Sequence, residues 1–289
     1  MKIFLAGATG VIGRRLVPLL VDRGHEVVGT TRSADKAEAL RVAGAEPVLL
    51  DVQDLVALGA AVAQAEPEAV IHQLTALTGS MDIRNLDRSF ATTNALRTAG
   101  TDQLLAAAVK VGARRFIAQS FTGWTNPRSG GPVKSENDPL DPTPEPRARQ
   151  TLAAIAHLER TVTEATGIDG LALRYGLFYG PGTGMAAGGQ LLELVANRKL
   201  PIVGGGTGIW SWVHVDDAAT ATVAAVERGA PGVYNIVDDD PAPVSEWLPY
   251  LADAIGAMPP RKVPAWLVRP LLGAPGISAM TKIRGSSNA

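Results

Sequence analysis

With 289 residues, 46% of them hydrophobic and 19% charged, the chain has the composition of a folded protein with a sizeable core, which excludes bulk disorder. Twenty-seven basic against 28 acidic residues leave a net charge of −1, so no basic field holds nucleic acid or an anionic membrane. Cysteine is absent, which excludes disulfides, thiolate nucleophiles and cysteine-based metal sites.

Gly7, Gly10 and Gly13 stud the N-terminal apolar stretch and Arg14-Arg15 interrupt it, unlike a signal peptide. No apolar run in the sequence approaches the roughly 18–20 residues of a membrane span, and a cytoplasmic protein is expected. Short apolar runs alternate with amphipathic ones. Residues 3–6, 26–29, 47–50 and 69–72 read as strands, and 11–21, 34–43 and 55–64 as the helices between them. Continuous apolar strands alternating with helices predict an α/β fold with a doubly wound parallel sheet. Residues 86–111 read as mostly helix and 115–118 as the next strand. Prolines 127, 132, 139, 142, 144 and 146, with Gly130-Gly131 among them, make a long surface loop of the kind that covers binding sites. Helix resumes over about 147–165, and 171–174 is a strand.

Gly7-Ala8-Thr9-Gly10-Val11-Ile12-Gly13 falls between the first strand and the first helix. Glycine there permits a tight turn and lets backbone N–H groups and the helix N-terminus approach a pyrophosphate. The competing reading is a strand–helix turn that binds nothing. An NAD site usually carries Asp or Glu at the tip of the second strand, to accept from the ribose 2′-hydroxyl. Here the run is Val28-Gly29-Thr30-Thr31-Arg32-Ser33. Arg32 can pair with a 2′-phosphate, helped by the Thr31 and Ser33 hydroxyls, which favours NADP(H) over NAD(H); a solvated surface arginine is the alternative. Asp51-Val52 is placed to meet the adenine edge, or else to cap the following helix.

Together with Val70-Ile71-His72, Gly100-Thr101, Leu104 to Ala108, Arg115-Phe116-Ile117, Leu173-Arg174-Tyr175-Gly176-Leu177-Phe178-Tyr179-Gly180-Pro181-Gly182 and Trp212-Val213-His214-Val215-Asp216-Asp217, this loop resembles the extended short-chain dehydrogenase/reductases, the NAD(P)-dependent epimerase/dehydratase superfamily. The resemblance implies a Rossmann-type domain over 1–177, with 209–237 returning to it, and a smaller substrate-binding lobe from 178–208 and 238–289. It also counts Leu74 and Tyr175 among the cofactor-binding residues. It implies a homodimer through the fourth and fifth helices, where Leu104, Leu105, Ala108, Leu152 and Ile155 could supply the face or pack internally. The chain stops at Asn288-Ala289, short of the C-terminal segment usual in such proteins.

One departure dominates. The family's proton chemistry uses Tyr-x-x-x-Lys, but the four tyrosines here, 175, 179, 234 and 250, are followed at i+4 by Tyr179, Thr183, Asp238 and Ala254. Alignment on His157-Leu158-Glu159 puts Thr151 at the tyrosine and Ile155 at the lysine. An aliphatic hydroxyl has no anion comparable to a phenolate, so Thr151 cannot inherit the role. Ser120 and Thr122, after the fifth strand, are candidate catalytic donors to a substrate carbonyl, or they satisfy their own loop. Asn94 lies three residues early for the family's asparagine, where Arg97 falls instead. No histidine pair has zinc-ligand spacing, and no metal is expected.

Trp210 and Trp212, with Met185 and Trp124, would wall a hydrophobic or aromatic small-molecule substrate; the indoles suit a core equally well. The expected function is an NADP(H)-dependent oxidoreductase acting on a carbonyl/alcohol pair of an apolar molecule without the Tyr/Lys pair. The alternatives are a non-redox epimerase, dehydratase or isomerase, and a non-catalytic NADP(H)-sensing protein.

Overall fold

The computed structural model describes residues 1–77 and 82–289. Its first half alternates strand and helix: β1 (Lys2–Ala6), α1 (Gly13–Asp22), β2 (Glu26–Thr31), α2 (Ala34–Val42), β3 (Glu46–Leu49), α3 (Leu55–Ala65) and β4 (Ala69–His72). Two short helices, α4 (Leu86–Ser89) and α5 (Ala91–Ala95), then lead through one π-helical turn, Leu96–Gly100, into α6 (Thr101–Lys110). After β5 (Arg115–Phe121), β6 (Val133–Lys134) and α7 (Arg149–Thr163) come β7 (Asp169–Tyr175), β8 (Leu177–Tyr179) and α8 (Gln190–Ala196). The chain continues with β9 (Ile202–Val203), β10 (Ile209–Trp210), β11 (Trp212–His214), α9 (Val215–Arg228) and β12 (Gly232–Ile236). It closes with β13 (Ala242–Pro243), α10 (Val244–Ala254), β14 (Lys262–Val263), α11 (Ala265–Thr281) and β15 (Gly285–Ser286).

Seven strands form one parallel sheet in the order β12-β7-β5-β4-β1-β2-β3. Strand β1 shows why it forms. Ile3 and Leu5 face a cluster with Leu16, Val17 and Leu20 of α1 and Val223 of α9. Phe4 and Ala6 face the opposite cluster with Leu58 and Val62 of α3, Leu104 of α6 and Leu158 of α7. A strand covered on both faces must be apolar at every position, which is what the sequence shows. The direction of winding reverses between β1 and β4, and a doubly wound sheet opens its binding crevice at that switch point.

A third cluster of buried residues joins Val195, Ile202, Val203, Val244, Trp247, Leu248, Ala252 and Met280, with Trp210 and Trp212 packed against it. The three indoles stack on one another, with centroids 4.9–5.6 Å apart. Trp210 and Trp212 are half-buried against this cluster and line neither of the two described cavities, and Trp210 Nε1 is spent on Ala279 O at 2.8 Å.

Two features add to the sequence reading. Residues 86–111 are mostly helix, as expected, but in pieces: Phe90 (φ −100°, ψ 8°) breaks the first turns, and the π-helical turn shifts the phase of α6 relative to α5. The proline-rich segment is tied down by β6, which pairs in parallel with β15 near the C-terminus. Leu104, Leu105, Ala108, Leu152 and Ile155 are all buried within the single chain, so they are not free to form an intermolecular face. Among the described residues, no helix is long and apolar enough to cross a membrane.

Candidate active site

The glycine loop is held from below. Gly7 N–H donates to Thr30 Oγ1 of β2 (2.9 Å), and Gly10 N–H donates back to Gly7 O (3.0 Å). Gly7 has φ +94°, and a Cβ there would lie 2.8 Å from Gln73 O; a Cβ on Gly13 would lie 2.2 Å from Gly7 O. Both positions are closed to any side chain. No side chain caps α1, and Val11, Ile12 and Gly13 at its start line a cavity of about 380 Å3. An uncapped helix N-terminus beneath a glycine cradle fits an anion, and here it fits a pyrophosphate.

The cavity runs from the tip of β2 across the loop to the ends of β4 and β5. At one end stand Thr31, Arg32, Lys36, Val52 and Gln53; at the other stand Gln73, Leu74, Thr92, Leu96, Gln119 and Phe178. Arg14, at the start of α1, also lines it. Its described lining holds three cationic side chains, Arg14, Arg32 and Lys36, and no carboxylate, tyrosine or histidine. Arg15 clamps the site from outside: it donates to Val11 O (2.9 Å), Pro181 O (2.5 Å) and Asp216 Oδ1 (2.5 Å), tying the Tyr-Gly-Pro segment to the phosphate helix.

The structure thus brings together Gly7, Thr9, Gly10, Val11, Ile12, Gly13, Thr31, Arg32, Val52 and Leu74. Three expected cofactor residues stand off the lining. Ser33 begins α2, with its N–H on Thr31 Oγ1 at 3.3 Å. Asp51 turns back to accept from Gln53 N–H (3.1 Å). Tyr175 is 1% exposed, and its phenol lies in the core between Thr222 and Gln73. The sequence reading missed Lys36, although its place four residues after Arg32 in the first turn of α2 was a usable signal. It missed Gln73 and Gln119 because no charge or motif marks them.

Neither candidate catalytic hydroxyl reaches the cavity. Ser120 Oγ donates to Glu159 Oε1 of α7 (2.6 Å), inside a buried pair in which Arg174 grips both carboxylate oxygens at 2.7 and 2.8 Å. Thr122 Oγ1 is bonded to Ser286 Oγ of β15 (2.6 Å) and secures the C-terminal segment. Trp124 borders a separate cavity of about 30 Å3, with Arg128 held by Asp141 (2.9 Å) and Glu145 (2.6 Å). Met185 is half-buried and lies outside both linings.

At the position aligned with the family's tyrosine, Thr151 is fully buried. Its hydroxyl and N–H both donate to Asp87 Oδ1 (2.9 and 2.8 Å), and the hydroxyl accepts from Asn94 Nδ2 (3.1 Å). Its one proton is committed to a carboxylate. Tyr175 and Tyr179 are both pushed up to about 12, by burial first and, for Tyr179, also by the neighbouring Asp238 carboxylate. That is the wrong direction for proton donation near neutrality. His72, at the end of β4, accepts from Leu74 N–H through Nδ1 (3.2 Å), so Nε2 carries the proton toward Leu96 O (3.2 Å). His214 accepts from Asp216 N–H (3.3 Å) and caps α9; the capping side chain is the histidine, while Asp216 serves Arg15.

A doubly wound sheet with a glycine cradle at its switch point defines a dinucleotide-binding α/β enzyme. The model of the NAD dependent epimerase/dehydratase family matches residues 3–237. The chain is 46% identical over 291 residues to a 3-diazoavenalumate denitrifying reductase of Streptomyces sp., covering 100% of this chain and 92% of that one. It is 31% identical to a 2-alkyl-3-oxoalkanoate reductase of Stenotrophomonas maltophilia, covering 89% of this chain and 76% of that one. A solved structure of Thermus thermophilus UDP-glucose 4-epimerase in complex with NAD superposes with a TM-score of 0.70 at 22% identity, covering 97% of each chain. The chain belongs to the NAD dependent epimerase/dehydratase family. It is a nicotinamide-dinucleotide-dependent enzyme of the oxidoreductase class.

Proposed function

We propose that the protein is an NADP(H)-dependent reductase that transfers hydride to a substrate needing no acid from the protein. The observation that carries this is the cavity lining: cations at the β2 end and, among the described residues, no carboxylate, tyrosine or histidine at the β4/β5 end. Arg32 and Lys36 are exposed and make no ion pair among the described residues, which leaves them free for a 2′-phosphate. The loop amides and the α1 N-terminus hold the pyrophosphate, and Arg14 adds a charge beside them. When bound, the reduced nicotinamide supplies a hydride.

Residues of the chain then orient the partners and exclude water. Leu74, Leu96 and Phe178 supply apolar surface at that end, and Gln119 and Thr92 supply neutral polar groups. A ketone that gains a hydride becomes an alkoxide and must find a proton. A diazonium carbon that gains a hydride keeps it as C–H, while the C–N bond breaks and its electron pair leaves with N2. The second balance, Ar–N2+ + H− = Ar–H + N2, closes without an acid. The 46% identical relative is named a denitrifying reductase of a diazo compound, and this supports an aryl diazo substrate for this chain too.

A second reading, reduction of an apolar ketone with the proton taken from solvent, is favoured by the name of the 31% identical relative. Incubation with 4-deuterated NADPH and an aryl diazonium salt distinguishes the two. Deuterium at the ring carbon with N2 release above the enzyme-free background supports the diazo reading. Turnover of bulky ketones alone would replace it with the second.

A further inference from the structure

Gln73 stands where the dinucleotide must cross the sheet. It directly follows β4, donates its N–H to Ala6 O of β1 (2.9 Å), and lays its carbonyl against Gly7. Its side chain is 5% exposed and lines the cavity. Donor counting decides which end of the amide is already spent. Thr222 has one hydroxyl proton and gives it to Ala218 O within α9 (2.7 Å). The 2.5 Å contact between Thr222 and Tyr175 therefore requires the phenol to donate. With its proton spent, the phenol oxygen can only accept, and Gln73 must offer it Nε2–H (3.1 Å). The amide is pinned, so Oε1 is the end left over. That oxygen is buried and has no hydrogen-bond partner among the described residues. Native proteins retain few such atoms, and on a residue that lines a ligand cavity such an oxygen is an acceptor in want of a donor.

We infer that Gln73 Oε1 is a pre-oriented acceptor for the nicotinamide-riboside half of NADP(H), with Tyr175 and Thr222 as the positioning residues behind it. The inference rests on the cofactor reading above. In a doubly wound sheet the two halves of a dinucleotide lie on either side of the switch point. Arg32 and Lys36 mark the β2 side, so Gln73 at the end of β4 meets the other half. The donors there, ribose hydroxyls and a carboxamide N–H, are neutral. A neutral amide oxygen serves them without setting a carboxylate beside the pyrophosphate.

Equilibrium titration with NADPH and with adenosine 2′,5′-bisphosphate, which lacks the nicotinamide-riboside half, tests this without turnover. Gln73→Leu keeps the volume and removes the acceptor. NADPH should bind about five- to ten-fold more weakly while the bisphosphate stays within about two-fold. Tyr175→Phe frees the amide to rotate and should weaken NADPH alone, by about two- to five-fold. The Gln73→Leu/Tyr175→Phe double variant should bind NADPH no more weakly than Gln73→Leu. Unchanged NADPH affinity in Gln73→Leu, or equal loss for both nucleotides, overturns the assignment; additive losses in the double variant overturn the positioning role. Gln73→Met must reproduce the pattern if Gln73→Leu fails to fold. Failure of the wild-type protein to bind the bisphosphate overturns the NADP(H) reading itself.

Discussion

Replacing Ser120 by alanine separates a structural hydroxyl from a catalytic one. Ser120 is 2% exposed and Glu159 5%, and their hydrogen bond is 2.6 Å long. A hydrogen bond to a charged group contributes about 1.5–3 kcal/mol. Glu159 keeps both bonds from Arg174 in the variant, which places the loss at the lower end, about 1.5–2 kcal/mol. At about 2–4 °C per kcal/mol for a chain of this size, Tm should fall by about 3–8 °C. Thermal melts and kcat/KM measured on one preparation give both readouts. The expected result is a lower Tm with kcat/KM within about three-fold of wild type. A loss of activity of two or more orders of magnitude at unchanged Tm would refute the reasoning and return Ser120 to the chemistry. Arg174→Met is the sharper companion. It leaves Glu159 buried without its bidentate partner and should cost about 3–5 kcal/mol, softened by the attraction of the nearby Arg97.

Arg32→Ala should weaken NADPH about 10- to 100-fold in calorimetric titration and leave NADH within about two-fold, with Lys36→Ala showing the same selectivity and a smaller loss. Equal losses for both nucleotides would remove the 2′-phosphate from this end of the cavity. Thr151→Ala should keep kcat within a few-fold and cost about 1–2 kcal/mol, because Asp87 and Asn94 lose a shared partner; a loss of several orders of magnitude in kcat would place Thr151 in the reaction. Burial, aided by Arg97 and opposed by the bond to Leu96 O, lowers the His72 pKa to about 4. The unfolded chain therefore takes up a proton near pH 6.5 that the native protein refuses, and stability should decline from pH 6.5 down to about 4 by about 3 kcal/mol. His72→Asn should flatten that decline in urea titrations at successive pH values, and an unchanged slope would show that other groups cause it.

Legibility in the sequence depends on which constraints act on the backbone. Gly7 and Gly13 are dictated by close approach, since no Cβ fits at either, and so the phosphate cradle could be read directly. The apolar run Ile3 to Ala6 must serve two cores at once, which made the parallel sheet readable as well. The tryptophans were ambiguous for a physical reason: indoles suit an apolar pocket and a packed core equally, and their packing on Trp247 comes from chain segments far apart in sequence. The pairing of β6 with β15 joins segments some 150 residues apart and leaves no local signal.

The error at Ser120 is one of parity, and correcting it changes what the site can do. Side chains alternate along β5, so a shift of one residue exchanges the cavity face for the helix face. Gln119 lines the cavity and Ser120 binds α7, so the side chain that β5 turns toward the cavity is an amide, and the hydroxyl beside it bonds Glu159. With Thr151 bound to Asp87 as well, the hydroxyls at both places where the family resemblance implies one are bonded within the protein and off the cavity lining. Among the described residues, the dinucleotide half of the site keeps its glycines and cations, and no carboxylate, tyrosine or histidine lines the other half. On the proposed function, selection among substrates falls on what each requires once hydride has arrived. A carbonyl must draw its proton from water admitted to a cavity walled by Leu74, Leu96 and Phe178, whereas a diazonium carbon completes its reaction by releasing N2 and asks nothing further of the protein.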